Sequence, residues 1–148
     1  MDNLARQAGR FPDKPACIFP EAGAALSFAE LDSRANRAAQ WLIGLGLREG
    51  DRVALLLRNE PAMLELGFAA QRAGLYYVPL DTHLTPAELG PILRDSGARV
   101  LVASEVPPGL PGLDLGCFVT GSSYEEALAG YPRAEALPTR QVGRDLLY

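Results

Sequence analysis

Apolar residues along this chain follow two spacings, and the switches between them mark its elements. From Phe28 the spacing is three and four: Phe28, Leu31, Ala35, Ala38, Leu42 and Leu45 form one stripe, with Arg34, Asn36, Arg37 and Gln40 off it. That period predicts a long amphipathic helix. Ser27 and Glu30 supply a capping box at its start, and Gly46 a stop at its end. Val53-Ala54-Leu55-Leu56-Leu57 is unbroken instead, as in a strand buried on both faces, which favours a parallel sheet. Asn59 is placed to cap a helix over Glu60 to Ala73 with Pro61 in its first turn, and Gly74 can end it. Leu75 to Val78 reads as a short buried strand, closed by Pro79, which cannot donate to a ladder. Thr85-Pro86-Ala87-Glu88 then opens a helix with an N-cap, a first-position proline and a capping box, running to Asp95 and stopping at Gly97.

Arg99 to Ala103 and Cys117 to Thr120 complete a set of core strands, separated by the proline- and glycine-rich loop Glu105 to Asp114. Ser123 and Glu126 box a last short helix over Tyr124 to Gly130, followed by a polar connection to Gly143 and a terminal apolar strand, Asp145 to Tyr148. Ahead of the long helix lie a short helix over Asn3 to Gly9 and a hairpin, Ala16 to Phe19 with Ala25 to Phe28. Strand–helix–strand–helix–strand between residues 52 and 103 is the signature of right-handed βαβ units. The fold class expected is α/β, a partly parallel sheet flanked by helices. Three stretches organise it: 1–50 hairpin and long helix, 51–121 βαβ core, 122–148 helix, connection and terminal strand.

At 148 residues the chain is one domain in size, and 48% hydrophobic with 22% charged residues is ordinary for a soluble globular protein. A net charge of −4 argues against nucleic acid as a partner. No apolar run approaches a membrane span and no secretory leader is evident, so a cytoplasmic location is expected. Cys17 and Cys117 both sit in apolar runs and read as buried thiols.

Candidate chemistry is sparse. His83, the single histidine, has no partner at a metal-ligand spacing, so neither a catalytic residue nor a metal ligand is assigned. Its place is informative: the loop Asp81 to Leu84 lies beyond the carboxyl end of a parallel strand, where open α/β sheets bind ligands. Gly121-Ser122-Ser123 has no lysine and is crowded by Glu125 and Glu126, so it reads as an N-cap rather than a phosphate loop. Tyr76 and Tyr77 read as core and edge aromatics, Glu60 and Glu65 as helix-surface residues.

The segment Ala73 to Leu89, A-G-L-Y-Y-V-P-L-D-T-H-L-T-P-A-E-L, closely resembles one in the adenylate-forming enzymes, the superfamily of acyl-CoA synthetases and peptide-synthetase adenylation domains. Leu26-Ser27-Phe28-Ala29-Glu30-Leu31 is similar to an early motif of that family, and Gly50-Asp51-Arg52-Val53-Ala54 with Asn59 matches its next landmarks. The wording T-H-L-T-P-A-E-L looks most like bacterial fatty acyl-CoA or aryl-CoA synthetases. The resemblance implies the first, amino-terminal subdomain of such an enzyme. The intact enzyme would convert a carboxylate and ATP to an acyl-adenylate and pyrophosphate, then transfer the acyl group to CoA, with magnesium screening the phosphates. The family's phosphate loop and catalytic lysine would lie beyond Tyr148; Lys14, the one lysine, is a turn residue. The chain alone is therefore expected to be non-catalytic, to bind no cofactor by itself, and to self-associate through surface that the rest of the enzyme would cover. By position, Asp81, Thr82, His83 and Ser104 would border the CoA pocket, although Asp81 stands where relatives often carry Asn and would repel a phosphate. The alternatives are a stand-alone module that binds a CoA-like nucleotide or regulates another synthetase chain, and an adenylation domain serving a carrier protein, which shares these motifs.

Overall fold

The computed structural model describes residues 3–21, 23–110 and 114–131. Its elements are α1 (Asn3–Arg10), β1 (Pro15–Phe19), β2 (Ala24–Ser27), α2 (Phe28–Gly44), β3 (Arg52–Leu56), α3 (Pro61–Ala73), β4 (Tyr76–Pro79), α4 (Pro86–Ser96), β5 (Val100–Ala103), β6 (Gly116–Val119) and α5 (Ser123–Ala129). The connection and terminal strand expected between 132 and 148 lie outside the described residues.

β1 and β2 pair as an antiparallel hairpin, and the other four strands form a parallel sheet ordered β4-β3-β5-β6. The alternation of side chains along each strand explains the unbroken apolar runs. Val53, Leu55 and Leu57 with Val100 and Val102 face one core, against α2, α3 and α5. Ala54 and Leu56 with Leu101 and Ala103 face the other, with Leu89 and Leu93 of α4. The step from β3 to β4 carries its helix on the first face, and the return to β5 carries its helix on the second. Two crossovers of one hand require that arrangement. A third, smaller core under the hairpin gathers Leu4, Leu26, Leu31 and Ala35.

The helix ends obey local chemistry. Ser27 Oγ accepts from the Glu30 N–H, and the Glu30 carboxylate accepts from the Ser27 N–H at 2.8 Å. At α4 the Glu88 carboxylate accepts both the N–H and the hydroxyl of Thr85, at 2.8 and 2.7 Å. Gly74 ends α3 at φ 72°, in the left-handed region that glycine enters freely. Two expected caps are different. The N-cap of α3 is Glu60, not Asn59, and it makes no side-chain cap bond. The N-cap of α5 is Ser122, while Ser123 Oγ accepts from the Val119 N–H at 2.9 Å, so that hydroxyl serves the end of β6.

Polarity misassigns part of the α2–α3 contact. Asn36 and Arg72 are buried, with Arg72 donating to Asn36 Oδ1 at 2.8 Å and to the Asp32 carboxylate at 2.6 Å. Glu65, expected on the surface, has no exposure. Its Oε1 lies 2.6 Å from Arg34 Nε, a charge contact without an aligned hydrogen bond, and its other oxygen accepts from the Tyr124 hydroxyl at 3.3 Å. Burial pushes the Glu65 carboxyl above its usual range, with Arg34 pulling the other way, and burial beside that carboxyl lifts the Tyr124 phenol well above its ordinary value. Trp41 fills the space above, edge-on to Phe118 and Tyr124 at 4.8 and 5.4 Å. The cysteine expectation fails as well: Cys17 is only half-buried, and Cys117 is exposed on β6, an edge strand of the sheet among the described residues.

Candidate functional site: the carboxyl edge of the parallel sheet

Because the four strands run the same way, the residues after each strand converge on one edge. These are Arg58 to Glu60 after β3, Asp81 to Leu84 after β4, Ser104 and Glu105 after β5, and Thr120 to Ser122 after β6. In open α/β sheets this edge carries the ligand site, most often where the strand order reverses. Here the chain steps outward from β3 to β4, then returns past β3 to β5 and β6, so the order reverses between β3 and β5.

The loop after β4 is organised by Asp81. Its Oδ1 accepts from the His83 backbone N–H at 2.9 Å and lies 2.8 Å from His83 Nδ1, while the Leu84 N–H donates to the Asp81 carbonyl. The His83 N–H, and then its ring, hold the Asp81 carboxyl below its ordinary range. Asp81, Thr82 and His83 are all exposed, the His83 side chain to 91%. An Asx turn therefore presents the imidazole outward with its Nδ1 turned to the carboxylate.

Ser104 belongs to a different group. Its hydroxyl donates to Glu60 Oε1 at 2.6 Å, and the same Glu60 oxygen accepts from Thr120 Oγ1 at 3.1 Å. Ser104 Oγ in turn accepts from the Arg58 N–H at 2.8 Å, and the Arg58 guanidinium pairs with Glu105 at 2.9 Å. The ends of β3, β5 and β6 are thus joined where the strand order reverses. The structure brings Asp81 and His83 together, and it places Ser104 with Glu60, Arg58 and Thr120. Sequence reasoning missed Glu60. No local signal marks it, because its hydroxyl partners come from the ends of two other strands.

A shallow depression of about 640 Å³ flanks this edge, between Thr85, Pro86, Ala87, Gly90, Pro91 and Arg94 on α4 and Gly109. Among the described residues, Arg94 is the charged group that lines it. Tyr77 packs on the first core and Tyr76 lies under Arg52, its ring 6.0 Å from the guanidinium carbon. Among the described residues no three His, Cys, Asp or Glu side chains converge to hold a metal ion. Among the same residues no helix is long and apolar enough to cross a membrane.

Comparison with known proteins gives this edge its context. A family model described as AMP-binding enzyme matches residues 4–140. The chain belongs to the AMP-binding, adenylate-forming family. It is 36% identical to a feruloyl-CoA synthase of Amycolatopsis sp., over 87% of this chain and 33% of that protein. It is 34% identical to the long-chain-fatty-acid–CoA ligase FadD13 of Mycobacterium tuberculosis, over 75% of this chain and 22% of that protein. Among solved structures, the N-terminal domain of FACL13 from Mycobacterium tuberculosis superposes with a TM-score of 0.77 at 29% identity, covering 92% of this chain and 38% of that one. The N-terminal subdomain of Klebsiella oxytoca NpsA, at 24% identity and a TM-score of 0.73, shares the fold. The chain spans about a third of the length of the feruloyl-CoA synthase and about a fifth of that of FadD13. The parallel α/β unit described above is the N-terminal subdomain fold of adenylate-forming enzymes.

Proposed function

We propose that this chain is the amino-terminal subdomain of an acid–thiol ligase that acts on an aryl or fatty carboxylate. In the first step a carboxylate oxygen attacks the α-phosphorus of ATP, forming acyl-adenylate and releasing pyrophosphate. In the second the CoA thiolate attacks the acyl carbon and AMP leaves, giving the thioester. The family match over residues 4–140 carries this reading, and the names of the two ligases to which the chain is similar favour CoA as acceptor. By itself the chain catalyses neither step.

Its part is to form one wall of the CoA entrance. Asp81, Thr82 and His83 border that wall, with Ser104 behind them in the Glu60 group. The place of this loop beyond the carboxyl end of β4 supports this, with Asp81 and His83 held together in an Asx turn. Alone in solution the chain self-associates through apolar side chains left exposed, Ile18 at 66% and Phe11 at 41% among them. The test of function uses the complete gene product with ATP, CoA, and ferulate or a long-chain fatty acid. Thioester from one acid and not the other assigns the substrate class. AMP formation that needs a carrier protein in place of CoA moves the chain to the adenylation-domain branch. No acid-dependent pyrophosphate release overturns the reading.

A further inference from the structure

Resting on the ligase reading above, we infer that Glu60 is a positioning residue for the second half-reaction, holding the carboxyl edge of the sheet in the shape that admits CoA. One oxygen of Glu60 takes hydroxyls from the ends of two neighbouring strands, Ser104 at 2.6 Å and Thr120 at 3.1 Å. Glu60 itself comes from the end of the third strand, and the Arg58 N–H of that same segment closes the ring on Ser104 Oγ at 2.8 Å. These partners are 44, 60 and 46 residues apart in the chain, so the group is built by the fold and not by a local turn.

Two features separate this role from helix capping. Glu60 sits at the N-cap position of α3 yet makes no side-chain cap bond, so its carboxylate is committed to the sheet edge. The group also lies between β3 and β5, where doubly wound sheets part their loops to admit a ligand. Here the chain's own hydrogen bonds span that gap. The end of β4, with Asp81 and His83, is organised separately by its own Asx turn. The edge therefore has a fixed half over β3, β5 and β6, and a self-contained loop beside it. A ligand approaching the β4 loop meets the fixed half as its wall.

The test compares Glu60→Ala, which removes the acceptor, with Glu60→Gln, whose amide oxygen can still accept both hydroxyls. In this chain, hydrogen–deuterium exchange at the Arg58 amide should quicken about tenfold in Glu60→Ala and stay near wild type in Glu60→Gln, while Val53 to Leu55 are unchanged. In the complete gene product, Glu60→Ala should raise the KM for CoA about tenfold, with acid-dependent ATP–pyrophosphate exchange kept within about twofold, and Glu60→Gln should rescue. Unchanged Arg58 exchange, an unchanged KM for CoA, or equal loss in both half-reactions overturns the positioning role. A wild-type protein that makes no thioester overturns the ligase reading instead, and the two failures are told apart by that control.

Discussion

Removing the Glu65 carboxylate is the sharpest perturbation of the helical layer. Glu65 has no exposure and holds the buried Tyr124 hydroxyl at 3.3 Å and Arg34 Nε at 2.6 Å. In Glu65→Ala the Tyr124 hydroxyl loses its partner while still buried, which costs about 1–3 kcal/mol. The Arg34 side chain is 44% exposed, so its charge rehydrates and the lost ion pair adds no more than about 1 kcal/mol. The sum, about 3 kcal/mol, corresponds to a fall in Tm of about 10 °C for a domain of this size. Urea denaturation of wild type, Glu65→Ala and Glu65→Gln measures it; Gln keeps an acceptor for Tyr124 and should lose no more than about 1 kcal/mol. The pH dependence carries a sign. The folded Glu65 binds its proton more tightly than the ordinary value of 4.5 implies, because burial raises its pKa. Its proton-linked stabilisation is complete below the unfolded value and is lost as pH rises through the folded one. Wild type should therefore gain on Glu65→Gln as pH falls from above the raised value towards 4.5. A change under about 0.5 kcal/mol in Glu65→Ala, or a gain in the opposite pH direction, refutes the reasoning.

Three further substitutions test packing and backbone. A Cβ at Gly44 would strike the Tyr131 hydroxyl and sit 2.9 and 3.0 Å from its ring carbons. Gly44→Ala should thus cost about 1–3 kcal/mol despite alanine's better helix propensity, with Tyr131→Phe recovering part; thermal melting of the double-mutant cycle reads this out. Pro91 lies inside α4 and leaves the Ala87 carbonyl without its helical donor, so Pro91→Ala should stabilise by about 1–2 kcal/mol in the same melts. Gly74→Ala forces a side chain into φ 72° and should cost about 1–2 kcal/mol by urea titration, with an unchanged m-value.

The elements were legible where one local rule decides them. Continuous apolar strands fit a sheet covered on both faces, and alternate residues of Val53 to Leu57 do enter two different cores. Capping chemistry placed the starts of α2 and α4 to the residue. Polarity failed where two helices meet over paired polar groups: Asn36, Glu65 and Arg72 are buried because each finds its partner on another element. Cys117 sits in an apolar run but on an outer strand, so the run did not imply burial. At the candidate site, the loop Asp81 to His83 could be placed from the strand before it and the helix start after it. The Glu60 group could not, because Ser104 and Thr120 lie 44 and 60 residues from Glu60 and only the sheet order brings them together.

The central claim, that this chain builds one wall of an acid–thiol ligase, is tested most directly by thioester formation in the complete gene product. With ATP, CoA and either ferulate or a long-chain fatty acid, the account predicts acyl-CoA and AMP in equal amounts, together with pyrophosphate. Hydrolysis of ATP without thioester, or no acid-dependent turnover with either acid, would contradict it.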